Sequence, residues 1–138
     1  MRSVILDTGP IVAYLDRSEP AHSWARTTLL ATEGNLVTTS AVITEAMHFL
    51  SLVPNGPSAL SGLIDQGPVQ VFDFCGAPDL SRAVGRMVRY ADTPMDFADA
   101  TLVLLAETVG SGEILTLDRR GFRTYRWGRN RTFSLLGS

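Results

Sequence analysis

Thr93-Pro94-Met95-Asp96-Phe97-Ala98-Asp99-Ala100, continuing as Thr-Leu-Val-Leu-Leu-Ala-Glu to Glu107, reads as a loop that ends at Pro94 and then a helix. Its first turn carries Asp96 and Asp99, which three-residue spacing places on one helix face. Leu102, Val103, Leu104, Leu105 and Ala106 follow, apolar nearly all round, so the helix is expected to be largely buried. Two repelling carboxylates at the mouth of a buried helix have two explanations. They cap it, Asp96 as N-cap and Asp99 at the third helical position, with the macrodipole offsetting part of the repulsion. Or they belong to a site.

Upstream, Val4-Ile5-Leu6 runs into Asp7-Thr8-Gly9-Pro10, a short apolar run bounded by Gly and Pro, as expected of a buried strand with Asp7 at its C-terminal end. Pro10 suits the first turn of a helix through Leu15. Ser18 is the expected N-cap of the next helix, with Trp24, Leu29 and Leu30 turned inward. Leu36 to Thr39 reads as a second strand. Ser40 is then expected to cap a helix running to about Val53, which carries Glu45 and His48. Pro54-Asn55-Gly56-Pro57 is a turn and Ser58 to Gln66 a short helix. Val69 to Phe74 alternates like a strand. Pro78 to Tyr90 is a helix with an inward stripe of Leu80, Ala83, Val84, Met87 and Val88. Arg82, Arg86 and Arg89 form its solvent-facing basic ridge. Downstream, Gly110-Ser111-Gly112 closes the central helix. Glu113 to Leu117 is a fourth strand ending at Asp118, and Thr132 to Leu136 a last edge strand. Strands alternating with helices predict a three-layer α/β/α fold with a parallel sheet of four or five strands, one domain over 1–138.

Composition narrows the class. The 138 residues are 45% hydrophobic and 19% charged, enough for a real core, and the net charge of −2 gives no general attraction to nucleic acid. Every one of the cationic side chains is arginine, and they crowd between Arg119 and Arg131. The one cysteine, Cys75, excludes an internal disulfide and is expected to be a small buried hydrophobe. No apolar stretch reaches the ~18 residues of a membrane span, and the N-terminus does not read as a signal peptide, so a cytoplasmic location is expected.

In a parallel sheet, strand C-termini and the following helix N-termini meet at one edge, where sites form. Asp7, Glu45 and Asp118 follow that geometry, and Asp96 and Asp99 join them if their helix starts there. Such acids raise one another's pKa and oppose folding. A hard divalent cation resolves the conflict, and Mg²⁺ or Mn²⁺ prefers carboxylate and water oxygens. The chemistry served by such ions is phosphoryl transfer or phosphodiester hydrolysis.

These pieces resemble the PIN domain, the nuclease fold of VapC-type toxins of bacterial toxin–antitoxin pairs. The matching stretches are Val4 to Pro10, Thr39-Ser40 with Glu45 following, the helix start at Asp99-Ala100, and Leu115 to Asp118 with Phe122 after it. The resemblance implies an endoribonuclease dependent on Mg²⁺ or Mn²⁺, with Asp7, Glu45, Asp99 and Asp118 as the metal-holding quartet. Asp7 and Asp99 are its firmest ligands and Asp96 an auxiliary acid. Thr8 and Thr116 would orient carboxylates or water. It further implies an RNA substrate, an antitoxin partner that covers the acidic groove, and a homodimer. Arg119, Arg120 and Arg123, with the ridge of Arg82, Arg86 and Arg89, then become candidates for phosphate contact. The alternatives are an acidic partner or a merely solvated surface. Trp127 is expected to pack under the edge strand.

Other readings fit less well. Asp7-Thr8-Gly9 is the aspartic-protease signature, but that class is nearly all-β and this chain is rich in helical patterns. Haloacid-dehalogenase-like phosphatases want a second aspartate where Gly9 sits. They and receiver domains also use a late lysine, which this chain lacks. A catalytically inactive PIN-like module that binds RNA or protein is the non-enzyme alternative.

Overall fold

The computed structural model describes residues 2–137; Met1 and Ser138, the ends of the expected 1–138 domain, lie outside the described residues. Strands β1 (Ser3–Leu6), β2 (Asn35–Thr39), β3 (Val69–Phe72), β4 (Glu113–Leu115) and β7 (Ser134–Leu135) form one parallel sheet in the order β3-β2-β1-β4-β7. This is the expected α/β architecture with five strands. Val4, Ile5 and Leu6 are fully buried, as a central strand covered on both faces requires.

Between the strands run helices α1 (Thr8–Leu15), α2 (His22–Ala31), α3 (Ser40–Leu50), α4 (Gly56–Gln66), α5 (Asp79–Arg89), α6 (Phe97–Val109) and α7 (Arg119–Thr124). α1 packs on α2, α3 and α4, and α5 packs on α6. Right-handed crossovers send these two groups to opposite faces of the sheet. From β1 the chain moves outward through β2 to β3, then returns past β1 to β4. The order of strands therefore reverses between β1 and β4, the point where open α/β sheets form their binding crevice. Asp7 follows β1 and Asp118 lies just beyond β4.

α6 is the hydrophobic axis: every residue from Ala100 to Ala106 is buried. It ends at Gly110, whose φ of 70° takes the left-handed conformation that a side chain disfavours. The tail differs from the single edge strand expected. It makes a small antiparallel ribbon, β5 (Arg126–Trp127) with β6 (Arg131–Thr132), before β7 joins the main sheet. Trp127 packs, as expected, and its Nε1 donates to the Thr132 carbonyl at 3.1 Å.

Several local expectations are corrected. Thr39, not Ser40, caps α3, its Oγ1 accepting from the Val42 N–H. Ser18 does not cap α2. It donates to Asp16 instead, and the helix begins at His22 without a side-chain cap. Leu30 is 67% exposed because α2 buries only Ala25 fully. Cys75 is exposed, lying past the end of β3 in a loop. On α5 only Ala83 is fully buried, while Leu80, Val84 and Val88 face out. The ridge is not simply solvent-facing either. Arg82 and Arg86 turn toward α6 and bind Glu107 at 3.4 and 2.9 Å.

Candidate active site

At the switch point a cavity of about 480 Å³ opens. Six carboxylates line it: Asp7, Glu19, Glu45, Asp96, Asp99 and Asp118, with Thr8, Gly9, Val12, Phe49 and Leu117 between them. The five acids singled out from the sequence thus face one space, and Glu19 is a sixth.

Asp7 is placed by the sheet. Its N–H donates to the Leu115 carbonyl at 3.1 Å, extending the β1–β4 ladder by one bond. Its side chain caps α1, with Oδ1 accepting from the Thr8 N–H at 2.8 Å. Thr116 Oγ1 donates to Asp7 Oδ2 at 2.7 Å and accepts from the Asp118 N–H at 2.9 Å. One threonine therefore fixes the Asp7 carboxylate and the start of the Asp118 turn together. Asp118 then caps α7, accepting from the Gly121 N–H at 3.0 Å. Gly121 is required there, since a Cβ at that position would collide with the Asp118 carboxylate.

Asp96 and Asp99 form a complete reciprocal cap. Asp96 Oδ1 accepts from the Asp99 N–H at 2.8 Å, and Asp99 Oδ2 accepts from the Asp96 N–H at 3.2 Å. Capping and membership of the site are thus not alternatives, because each carboxylate keeps a second oxygen. Glu45 sits on α3, whose cap is tied to α6. Thr39 Oγ1 lies 2.8 Å from Thr101 Oγ1, and Thr101 donates to the Ala98 carbonyl at 2.6 Å. That buried hydroxyl pair holds the Glu45 helix against the Asp99 helix.

The electrostatics follow from this crowding. Asp7 is only 7% exposed. Burial pushes its carboxyl up to about 6, against the opposing pull of the Thr116 and Thr8 hydrogen bonds, and the charges of Glu45 and Asp96 add to the rise. Burial, then the charges of Asp96 and Asp7, push Asp99 up to about 8. The Tyr125 hydroxyl is raised as well, first by burial and then by Asp99, Asp118, Asp96 and Asp7. Among the described residues none of the six acids is ion-paired to an arginine.

The donor set consists of hard oxygens, the kind Mg²⁺ or Mn²⁺ takes. Thr8 Oγ1 is buried in the cavity wall with no hydrogen-bond partner. An orphaned hydroxyl beside Asp7 fits a site meant to hold a hydrated ion or a phosphate oxygen. Among the described residues no three acidic, histidine or cysteine side chains are drawn together as a ready-made cage.

The candidate arginines divide. Arg119 lies with its guanidinium 6.0 Å from the Trp24 ring centroid, whereas Arg120 and Arg123 are exposed on α7. Glu19 was not singled out from the sequence: a helix start was expected at Ser18, but α2 begins at His22, so Glu19 lies in the loop between α1 and α2 and reaches the cavity by packing.

A sheet of this order, with acids gathered where its strand order reverses, is the arrangement of a PIN domain. The PIN-domain sequence profile matches residues 4–128, and the chain belongs to that family. Ribonuclease VapC26 of Mycobacterium tuberculosis is 30% identical over 124 residues, 89% of this chain and 92% of the relative, which puts the chain with the VapC-type ribonucleases. Among solved structures, M. tuberculosis VapC20, described as a sarcin-ricin-loop-cleaving toxin, superposes with a TM-score of 0.77 at 19% identity, covering 84% of this chain and 90% of that one. VapBC2 of Rickettsia felis, bound to a DNA fragment from its promoter, gives a TM-score of 0.64 at 15% identity over 97% of this chain and 98% of that one. Among the described residues no helix is long and apolar enough to cross a membrane.

Proposed function

We propose that the chain is a Mg²⁺- or Mn²⁺-dependent endoribonuclease that hydrolyses RNA phosphodiester bonds, the toxin of a VapBC-type pair. The observation that carries this reading is the cavity itself. Six carboxylates share it unpaired, in a chain with arginines available elsewhere on its surface. A divalent cation bound there would supply a Lewis acid that activates water and offsets charge on phosphate oxygens.

Asp7, Glu45, Asp99 and Asp118 would hold it, with Asp96 auxiliary. Thr116 keeps the Asp7 carboxylate in one orientation by its 2.7 Å hydrogen bond. The Asp96 cap does the same for Asp99, a lining residue of the cavity, by binding one of its oxygens. Thr8 Oγ1 has a lone pair and a proton to offer a water or a phosphate oxygen. Arg120 and Arg123, exposed on α7, would meet RNA phosphates beyond the acids. A small antitoxin protein covering the cavity and a homodimeric state belong to the same reading, as does a cytoplasmic location.

RNA cleavage by the purified chain tests it. Cleavage should require Mn²⁺ or Mg²⁺, stop with a chelator, and disappear in Asp7→Asn. The competing reading is an inactive binding module, and the absence of a ready-made cage is the observation in its favour. Metal-independent cleavage, or cleavage by Asp7→Asn equal to the parent, would contradict the proposal. RNA binding with no cleavage under any metal would favour the module.

A further inference from the structure

The cavity is not acidic throughout. Phe49 and Leu117 line it beside the carboxylates, and both are largely out of the core, at 58% and 43% exposed. Phe49 lies four residues after Glu45 on α3, so one helix face carries the acid and, a turn further out, the ring. Leu117 lies between Thr116 and Asp118, on the stretch that joins β4 to the acidic turn. Gly9 makes room for it: a Cβ on Gly9 would come within 3.1 Å of the Leu117 side chain. Val12 completes the apolar wall.

This apolar surface does little for stability. Phe49 is more than half exposed, and among the described residues its one ring neighbour is His48, edge-on at 5.7 Å. An exposed phenylalanine at the mouth of an acid-lined cavity is better explained by an occupant than by packing. The occupant must tolerate six carboxylates, which argues against an acidic group at this wall. It must also offer a flat apolar face. A nucleobase is neutral and has such a face, and aromatic side chains take bases of any identity by stacking.

We infer that Phe49 is the stacking platform for a base next to the scissile phosphate, with Leu117 as a second apolar contact in the same cavity, so that this pair positions single-stranded RNA over the acids. The inference rests on the ribonuclease reading above and adds a positioning residue to it. Stacking on Phe49 fixes the strand through a neutral group, which the acids do not repel. It also favours unpaired RNA, because only an unpaired base can turn its face to the ring.

The test uses the full chain and a short single-stranded RNA that the parent cleaves, mapped to its cut bond. Phe49→Ala, Phe49→Leu and Phe49→Trp are compared for KM, kcat and Mn²⁺ affinity. The same RNA carrying an abasic nucleotide beside the cut bond is measured in parallel. Phe49→Ala should raise KM roughly tenfold, with Mn²⁺ affinity and melting temperature unchanged and Phe49→Trp restoring KM. Phe49→Leu should not restore it. The abasic RNA should lose the difference between parent and Phe49→Ala, the coupling expected if ring and base touch. An unchanged KM in Phe49→Ala overturns the inference while leaving the ribonuclease reading standing. Full rescue by Phe49→Leu, or an equal Phe49→Ala penalty on abasic RNA, also overturns it. The contact would then be a general apolar one of the kind a protein partner makes. Failure of the parent to cleave any RNA with metal present defeats both readings together.

Discussion

Glu107 and the rim acids sit at opposite ends of the same helix and are treated in opposite ways. Near the C-terminal end of α6, Glu107 accepts from Arg86 at 2.9 Å, from Arg82 at 3.4 Å and from the Gly128 N–H at 2.8 Å. One carboxylate there joins α5, α6 and the β5–β6 turn. At the N-terminal end Asp96 and Asp99 share a cavity with Asp7, Glu19, Glu45 and Asp118, and among the described residues no arginine pairs with any of them. The chain thus knows how to neutralise an acid where the acid serves the fold. Holding Asp7 and Asp99 charged at the rim costs stability, since burial and neighbouring acids raise both carboxyls. That contrast supports the proposal that this cavity is the active site.

The largest expected effect comes from removing a rim charge. Asp7→Asn and Asp99→Asn should each lower metal-dependent RNA cleavage by at least about a hundredfold, read from initial rates with Mn²⁺. Neither should unfold the protein. Glu107→Ala should do the reverse. It strands Arg86 and the Gly128 N–H, so it should destabilise by about 1–3 kcal/mol in urea melts while cleavage per folded molecule stays at the parent level. Equal behaviour of the two ends in either assay would erase the contrast.

The pH dependence of stability sharpens it further. Asp7 and Asp99 bind protons more tightly folded than unfolded, since both values stand above the ordinary 3.8. Their stabilising contribution is therefore complete below about pH 4 and lost as pH rises, through about 6 for Asp7 and about 8 for Asp99. In chelator, the melting temperature of Asp7→Asn should match the parent near pH 4, exceed it increasingly as pH rises through about 6, and level off above that. A constant difference across that range would mean that burial of the charge is not what raises Asp7. The smallest effect is on RNA phosphates. Removing Arg120 and Arg123 together should lessen the dependence of log Kd on log salt by roughly 0.7 per arginine, measured by fluorescence anisotropy.

The rim was legible in the sequence because a parallel sheet gathers strand ends by rule. Asp7 follows an apolar run and Asp118 another, so local pattern plus one topological law set their positions, whereas Asp96 and Asp99 depended on the edge at which their helix starts, which the sequence left open. Glu19 obeys no such law, since a loop carries it to the cavity by tertiary packing. The ridge on α5 failed for a related reason. Helical spacing gave Arg82 and Arg86 a shared face, but only the partner on α6 shows that this face turns inward to Glu107. No helix was expected where α7 lies, because six residues hold too little apolar pattern to announce one. Its cap depends on Gly121 leaving space for the Asp118 carboxylate, a steric fact visible only in three dimensions.

Calorimetric titration of Mn²⁺ into the parent chain and into Asp7→Asn at neutral pH bears most directly on the account. Saturable uptake by the parent, with a higher melting temperature on loading and neither response in Asp7→Asn, is the outcome expected of acids kept unpaired for a cation. Absence of uptake in the parent, or an identical titration in the variant, would contradict it.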